Sequence, residues 1–236
     1  MILLTIETAT PLESIALVDG GRVLGVSVCR AGRGRSDELL ARVADVLDAS
    51  SLRLSDLDGV AVSIGPGRFT GLRVGLATAK GLAASTGLLV VPVHTLEALA
   101  LSAARSSGAG PELVAPMLDA RRGEVYGALF IRESGRGANE RSEAGVRRVT
   151  PDVAEPPLVF LRGALQASGG SQVLLAGTGA SLYRDELERD AGGLALFAGE
   201  GSDRPSPTAM AALAERAAAN GVEDAASLSP LYLRGI

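Results

Sequence analysis

Cysteine, histidine, lysine and aromatic residues are scarce in this chain, and each scarcity closes a class of chemistry. The 236 residues hold one cysteine, Cys29, and one histidine, His94. A disulfide framework is excluded, and so is a metal centre built from several imidazoles and thiolates. Ser/His/Asp and Cys/His catalysis would both have to run through His94, which follows an apolar run in VPVHTLEAL and reads as a structural residue at a helix start. Tryptophan is absent, aromatics make up 3% of the chain, and Lys80 is the single lysine. A net charge of −4 leaves no basic surface broad enough to hold nucleic acid by phosphate neutralisation alone. No apolar run reaches the roughly 20 residues that cross a bilayer. The start MILLTIETAT lacks the basic segment and cleavage site of a leader, so a cytoplasmic protein with no membrane partner is expected.

What is abundant is alanine, valine, leucine and glycine, within 47% hydrophobic residues, which suits packed α/β layers. Ile2–Ile6, Ser14–Val18 and Val23–Cys29 read as a strand meander with Asp19-Gly20-Gly21 as a hairpin turn. A helix from Asp37 to Ala49 carries Leu39, Leu40, Val43, Val46 and Leu47. Strand Val60–Ile64, helix Thr70–Thr86, strand Leu88–Val93 and helix Thr95–Ala104 follow, an order of the ribonuclease H-like kind. Ser106 to Gly110 reads as a linker, which predicts a first domain over 1–105 and a shorter one over 106–236. The second has strands Leu113–Leu118, Glu124–Ile131 and Val146–Thr150, a mobile loop over Glu133–Gly145, a helix near Leu158–Ala167, strand Val173–Ala176 and a helix from Ser181. A helix over 207–220, capped by Ser206 and closed by Asn220-Gly221, is able to pack back on the first domain.

The most informative stretch is GVAVSIGPGRFTGLRVGLATAKG, Gly59 to Gly81: a strand, a rigid turn, then a helix with Thr70 as the expected N-cap. Gly71, Gly75, Ala79 and Ala83 recur every fourth position, so one helical face carries almost no side chain. Each interior glycine costs roughly 1 kcal/mol against alanine, so something comes close to this backbone. A neighbouring element, a partner protein or a phosphate would each satisfy that pattern. The turn Gly65-Pro66-Gly67 has no Walker lysine, and its glycine spacing misses the dinucleotide fingerprint by one position.

Two acids, Glu7 and Asp119, follow the first strand of each half, the arrangement with which an actin-like kinase would hold Mg-ATP. Gly177-Thr178-Gly179 could border an adenosine, and a plain tight turn explains it equally. That enzyme reading is the alternative to an interaction protein. Arg132, Arg136, Arg141, Arg147 and Arg148 could touch RNA, though Glu133, Glu140 and Glu143 dilute them into an ordinary solvated face.

With these residues laid out, the chain resembles the TsaB family, also called YeaZ, nearly end to end. The segments that carry the resemblance are ILLTIETAT with SIALVDGG, SIGPGRFTGLRVGLATAKGLA, HTLEALA, MLDARRGEVYGALF and the terminal PLYLR. The resemblance implies an actin-like (ASKHA) fold of two ribonuclease H-like subdomains, each a mixed β-sheet flanked by helices. It implies a non-catalytic subunit in making threonylcarbamoyladenosine beside the anticodon of transfer RNA. Its partners would be a TsaD-like catalytic paralogue and a TsaE-like ATPase, with a homodimer in isolation and transfer RNA met only through the complex. No metal or cofactor is implied for the chain itself, with ATP or ADP at a subunit junction as the one nucleotide expectation. The paralogue's metal-binding His-x-x-x-His element falls near Thr95–Leu99, which hold no metal ligands at those two places. The pairing surface implied is the first two helices, through Leu39, Leu40, Val43 and Leu47 of one, and Arg68, Phe69, Gly71, Leu72, Gly75, Leu76, Ala79 and Lys80 at the other. The sequence departs from the family pattern at Arg35-Ser36-Asp37, where His-Ser-Glu is usual, and at Arg68, where serine is common.

Overall fold

The computed structural model describes residues 1–32, 36–108, 110–133, 145–221 and 224–233. Its first apolar run is β1 (Ile2–Glu7), followed by β2 (Leu12–Asp19) and β3 (Arg22–Arg30), joined by a tight turn in which Gly20 and Gly21 both take positive φ. Helix α1 (Ser36–Ala49), β4 (Gly59–Gly65), α2 (Phe69–Thr86) and β5 (Leu89–His94) complete one sheet, ordered β3-β2-β1-β4-β5. The meander strands pair antiparallel, whereas β1, β4 and β5 pair parallel.

Strands β1 and β4 are buried on both faces, which is why they read as unbroken apolar runs. On one face, Leu4, Ile6, Ile15, Leu17, Val60 and Val62 pack with Leu39, Val43 and Leu47 of α1 and Leu76, Ala79 and Leu82 of α2. Helix α2 begins at Phe69 with Arg68 at the N-cap and no side-chain cap, so Thr70 is not the capping residue. Gly87, in the left-handed region, ends it.

The second sheet repeats the topology in a broken form. After α3 (Thr95–Ser106) come β6 (Leu113–Arg121), β7 (Glu124–Gly127), β8 (Phe130–Glu133), β9 (Gly145–Arg148) and β10 (Val153–Glu155). Helix α4 (Pro157–Ala167), β11 (Val173–Ala176), α5 (Thr178–Leu182), α6 (Arg184–Ala191) and β12 (Ala195–Phe197) follow. The order β10-β7-β6-β11-β12 reproduces the first sheet, with antiparallel pairs up to β6 and parallel pairs beyond it. The run expected as one strand, Glu124–Ile131, is split into β7 and β8, which pair with successive parts of β6. At the split, Thr150 Oγ1 accepts from the Leu129 N–H, and a Cβ on Gly127 would press within 2.6 Å of the Phe160 ring of α4. Both β10 and β12 escape a sequence reading because three residues carry no periodicity. The helix expected from Ser181 starts at Thr178 and breaks at Tyr183.

By its contacts the chain divides into two compact units, Met1–Thr95 with Ser206–Tyr232, and Leu96–Pro205. The boundary thus falls after Thr95 rather than at 105, because α3 is tied to the second unit: Arg132 donates to the Ala104 and Gly108 carbonyls at its end. Helix α7 (Pro207–Ala219) returns to the first unit and covers the face of β1, β2, β4 and β5 opposite to α1 and α2, through Ala209, Met210, Leu213 and Ala214. Its start is as expected, with Ser206 Oγ accepting from the Ala209 N–H at 3.2 Å. Ser206→Ala is expected to lower stability by about 1 kcal/mol, read by urea unfolding. Two ribonuclease H-like units, each a mixed sheet with flanking helices, make an α/β fold of the actin-like class. Among the described residues no helix is long and apolar enough to cross a membrane.

Candidate functional site

The GPG turn and the start of α2 are built around the loop that leaves β1. Glu7 ends that strand fully buried. Its Oε1 accepts from the N–H groups of Ala9 at 2.8 Å and Thr10 at 3.1 Å, and its Oε2 lies 2.8 Å from Thr10 Oγ1. The turn so formed pushes Thr8 and Ala9 against α2. A Cβ on Gly71 would overlap the Thr8 carbonyl, and one on Gly75 would overlap Thr8 Oγ1. A Cβ on Gly67 would fall 2.6 Å from the Ala9 carbonyl oxygen, to which the Arg68 N–H donates at 2.8 Å. What comes close to the glycine stripe is therefore this chain's own loop.

That corrects most of the expected pairing surface. Gly71, Leu72, Gly75, Leu76 and Ala79 of α2 face inward, as do Leu39, Val43 and Leu47 of α1, all of them buried by their own unit. The reason is geometric: small residues at every fourth position admit any close neighbour, and here the neighbour is the Thr8–Ala9 turn. Of the expected residues, Leu40 (53% exposed) and Phe69 (41% exposed) point outward, while Arg68 and Lys80 are half-buried. Sequence reasoning missed Arg73, Ala77 and Gly81, which lie exposed on the outer line of α2 that Phe69 begins. Ala44, one turn from Leu40 on α1, is also exposed. A second three- and four-residue spacing of small residues, offset from the glycine stripe, was the available signal.

Arg68 and Arg42 are both held by Glu13 of β2. Arg68 Nη1 lies 3.4 Å from Glu13 Oε1 and Arg42 Nη1 3.6 Å from Oε2, while Arg42 also donates to the Ser27 carbonyl at 2.9 Å. Glu13 so links α1 to the turn before α2. Arg35 of the expected departure lies outside the described residues.

Burial raises the Glu7 pKa from 4.5 to about 7, against the pull of the Thr10 and Ala9 hydrogen bonds. Thr10 Oγ1 also sits 3.0 Å from the Leu12 carbonyl, and its single proton serves only one of the two acceptors while Glu7 is charged. Protonated, Glu7 donates to Thr10, which donates to Leu12. The folded state thus binds this proton more tightly than the unfolded chain. The contribution of this group to stability is fullest below pH 4.5, falls as the pH rises to about 7 and stays lower above it. Glu7→Gln supplies the same donor without the charge and should be more stable than wild type by about 3 kcal/mol at pH 8 and equal to it at pH 4, by urea unfolding. Such a closed carboxyl is a structural group, which corrects Glu7 as a ligand for Mg-ATP.

In the second unit, Asp119 is likewise engaged locally, accepting from the Arg121 N–H at 2.8 Å and lying 3.4 Å from its guanidinium. Its own N–H donates to Thr178 Oγ1. A Cβ on Gly177 would overlap the Met117 carbonyl of β6, and one on Gly179 would fall 2.8 Å from Val125 of β7 and 3.0 Å from the Met117 carbonyl oxygen, so both glycines admit the β6–β7 hairpin. Arg132 caps α3, Arg147 lies 3.5 Å from Glu133, and Arg148 pairs with Asp152, which removes three members of the expected basic cluster. Arg136, Arg141, Glu140 and Glu143 lie outside the described residues. No group of three or more His, Cys, Asp or Glu side chains is placed to hold a metal among the described residues.

The chain is 37% identical to the tRNA threonylcarbamoyladenosine biosynthesis protein TsaB of Escherichia coli (strain K12) over 202 residues, 85% of this chain and 80% of that one. The chain belongs to the TsaB (YeaZ) family. YeaZ from Pseudomonas aeruginosa superposes with a TM-score of 0.74 at 30% identity, covering 98% of this chain and 99% of that one. The family profile of TsaD, tRNA N6-adenosine threonylcarbamoyltransferase, matches residues 22–145. That span contains β3, α1, β4, the GPG turn, α2 and β5, so this TsaB-family chain is similar to the transferase family over the helix-bearing part of its first unit. A ROK hexokinase from Thermus thermophilus matches at TM-score 0.50 and 13% identity, covering 93% of this chain and 99% of that one, a likeness of fold alone.

Proposed function

We propose that the chain is a non-catalytic subunit for threonylcarbamoyladenosine formation in transfer RNA, pairing through the outer face of α1 and α2 with a TsaD-type catalytic paralogue. The observation that carries this is the 37% identity to a TsaB named for that biosynthesis, joined to a transferase-family match over the segment that bears the pairing helices. Two chains that share these helices can meet about a pseudo-twofold axis, each presenting the same kind of face. The exposed line is suited to that: Arg73, Ala77 and Gly81 leave a low ridge, and Leu40 and Phe69 provide apolar anchors. Exposed Asp45 and Asp48 on α1 complement Arg73 on α2 across such an axis. The same face would make a homodimer when the paralogue is absent.

With one histidine and one cysteine, the chain leaves metal-dependent transfer to the partner. A TsaE-type ATPase would join only the assembled pair, transfer RNA would be met through it, and any ATP or ADP would sit at a subunit junction. Mixing the purified chain with its cognate transferase at micromolar concentration should give a co-eluting complex on gel filtration. Depleting the chain in cells should remove the modified nucleoside by mass spectrometry. Separate elution, or unchanged nucleoside, would refute the proposal.

A further inference from the structure

The chain does not end at α7. Beyond it, Asp224 caps a short turn over Ala225–Ser227, and Leu228 buries itself in the core shared by α1 and α2. Lys80 Nζ donates to the Ala226 carbonyl at 2.9 Å, and the Leu231 N–H donates to the Ile64 carbonyl at 2.7 Å, one residue before the GPG turn. Gly65 lies directly beneath Leu231: a Cβ there would be 2.6 Å from the Leu231 carbonyl oxygen. The backbone is thus fixed before it reaches Tyr232.

Tyr232 then lands on the exposed start of α2. Its ring centroid is 5.1 Å from that of Phe69, and its hydroxyl accepts from Arg73 Nε at 3.0 Å. The Arg73 guanidinium lies over the Phe69 ring at 3.9 Å, which closes a three-membered stack of two aromatics and a cation. Phe69 and Arg73 are the two largest side chains on the outer line of α2, and Arg73 has the most rotamer freedom to lose on docking. A contact made at the surface, after Leu228 and Leu231 have anchored the segment, adds little to folding and much to the preorganisation of those two side chains.

We propose that the C-terminal segment is a strap whose Tyr232 positions Phe69 and Arg73 for pairing. This inference rests on the proposed function, because it assigns the outer face of α2 to the catalytic paralogue. Tyr232 is a positioning residue that acts through its two neighbours.

The test measures affinity for the cognate transferase by calorimetry with four variants: Tyr232→Ala, Tyr232→Phe, Arg73→Ala and the Tyr232→Ala, Arg73→Ala double variant. Tyr232→Ala should weaken pairing roughly tenfold with an unchanged melting temperature, and Tyr232→Phe, which keeps the stack, should restore most of the loss. Arg73→Ala and Tyr232→Ala together should cost less than the sum of the two. Strict additivity would overturn the assignment, as would wild-type affinity in Tyr232→Ala. Ala77→Arg separates the two levels: if it abolishes pairing while Tyr232→Ala does not, the strap alone is wrong. If Ala77→Arg pairs normally, the face itself is wrong and the strap falls with it.

Discussion

Gly71→Ala should destabilise the chain by about 3 kcal/mol, even though alanine is the better helix former by about 1 kcal/mol. The added methyl has no room, because it would overlap the Thr8 carbonyl and the obstacle is backbone. The Thr8–Ala9 turn cannot move aside without breaking the hydrogen bonds from Ala9 and Thr10 to the buried Glu7 carboxyl. Relief would have to come from α2 lifting off β4, which would open the core around Leu76 and Ala79. Gly81 supplies the control on the same helix. Nothing lies within 4 Å of a Cβ built there, so Gly81→Ala should be neutral or stabilise by up to about 1 kcal/mol. Urea unfolding of the two variants side by side checks the pair. Equal stabilities would mean that the β1–β2 loop does not seat in the glycine stripe, and that the stripe is free for a partner after all.

The contrast between these two glycines marks where the sequence stops being informative. Strands buried on both faces, such as Val60–Ile64, and a helix with its own cap and stop signals, such as the one that Ser206 begins, are written locally and were legible. So was the ribonuclease H-like order of the first unit, since a meander followed by alternating helices and strands leaves few topologies, while the actin-like class is what the family resemblance implies. The glycine stripe announces that something approaches α2, but the spacing carries no address, and the approaching residues lie some sixty positions upstream. The same blindness hides the Tyr232, Phe69 and Arg73 stack, in which Tyr232 lies 159 residues from Arg73. The broken strands of the second sheet were hidden for another reason. Glu124 to Ile131 keeps its apolar character through the split, and only the Phe160 ring against Gly127 and the Thr150 hydroxyl at Leu129 reveal it. Glu7 shows the limit on the chemical side. An acid at a strand end reads as a ligand until its three intramolecular hydrogen-bond donors are seen.

Ala77→Arg should abolish pairing with the transferase while leaving the chain folded. Ala77 is exposed, between Arg73 and Gly81 on the outer line of α2, so a long side chain there meets only solvent in the isolated chain. Arginine is nearly as good a helix former as alanine, and the stability change should stay within about 0.5 kcal/mol. In a helix-to-helix interface the cost is different. Axes that approach to roughly 8–10 Å across small residues have no space for a guanidinium, and Arg73 one turn away adds like-charge repulsion. The dissociation constant should rise at least about a hundredfold, near 3 kcal/mol, by calorimetry, with the homodimer lost in the same variant by light scattering. The buried stripe makes the opposite prediction for Gly75→Arg, which should unfold the first unit because Thr8 already occupies that space. Together the two arginines locate the pairing face: one position tolerates the residue until a partner arrives, and the other never does. Full affinity in Ala77→Arg would move the interface off α2 entirely.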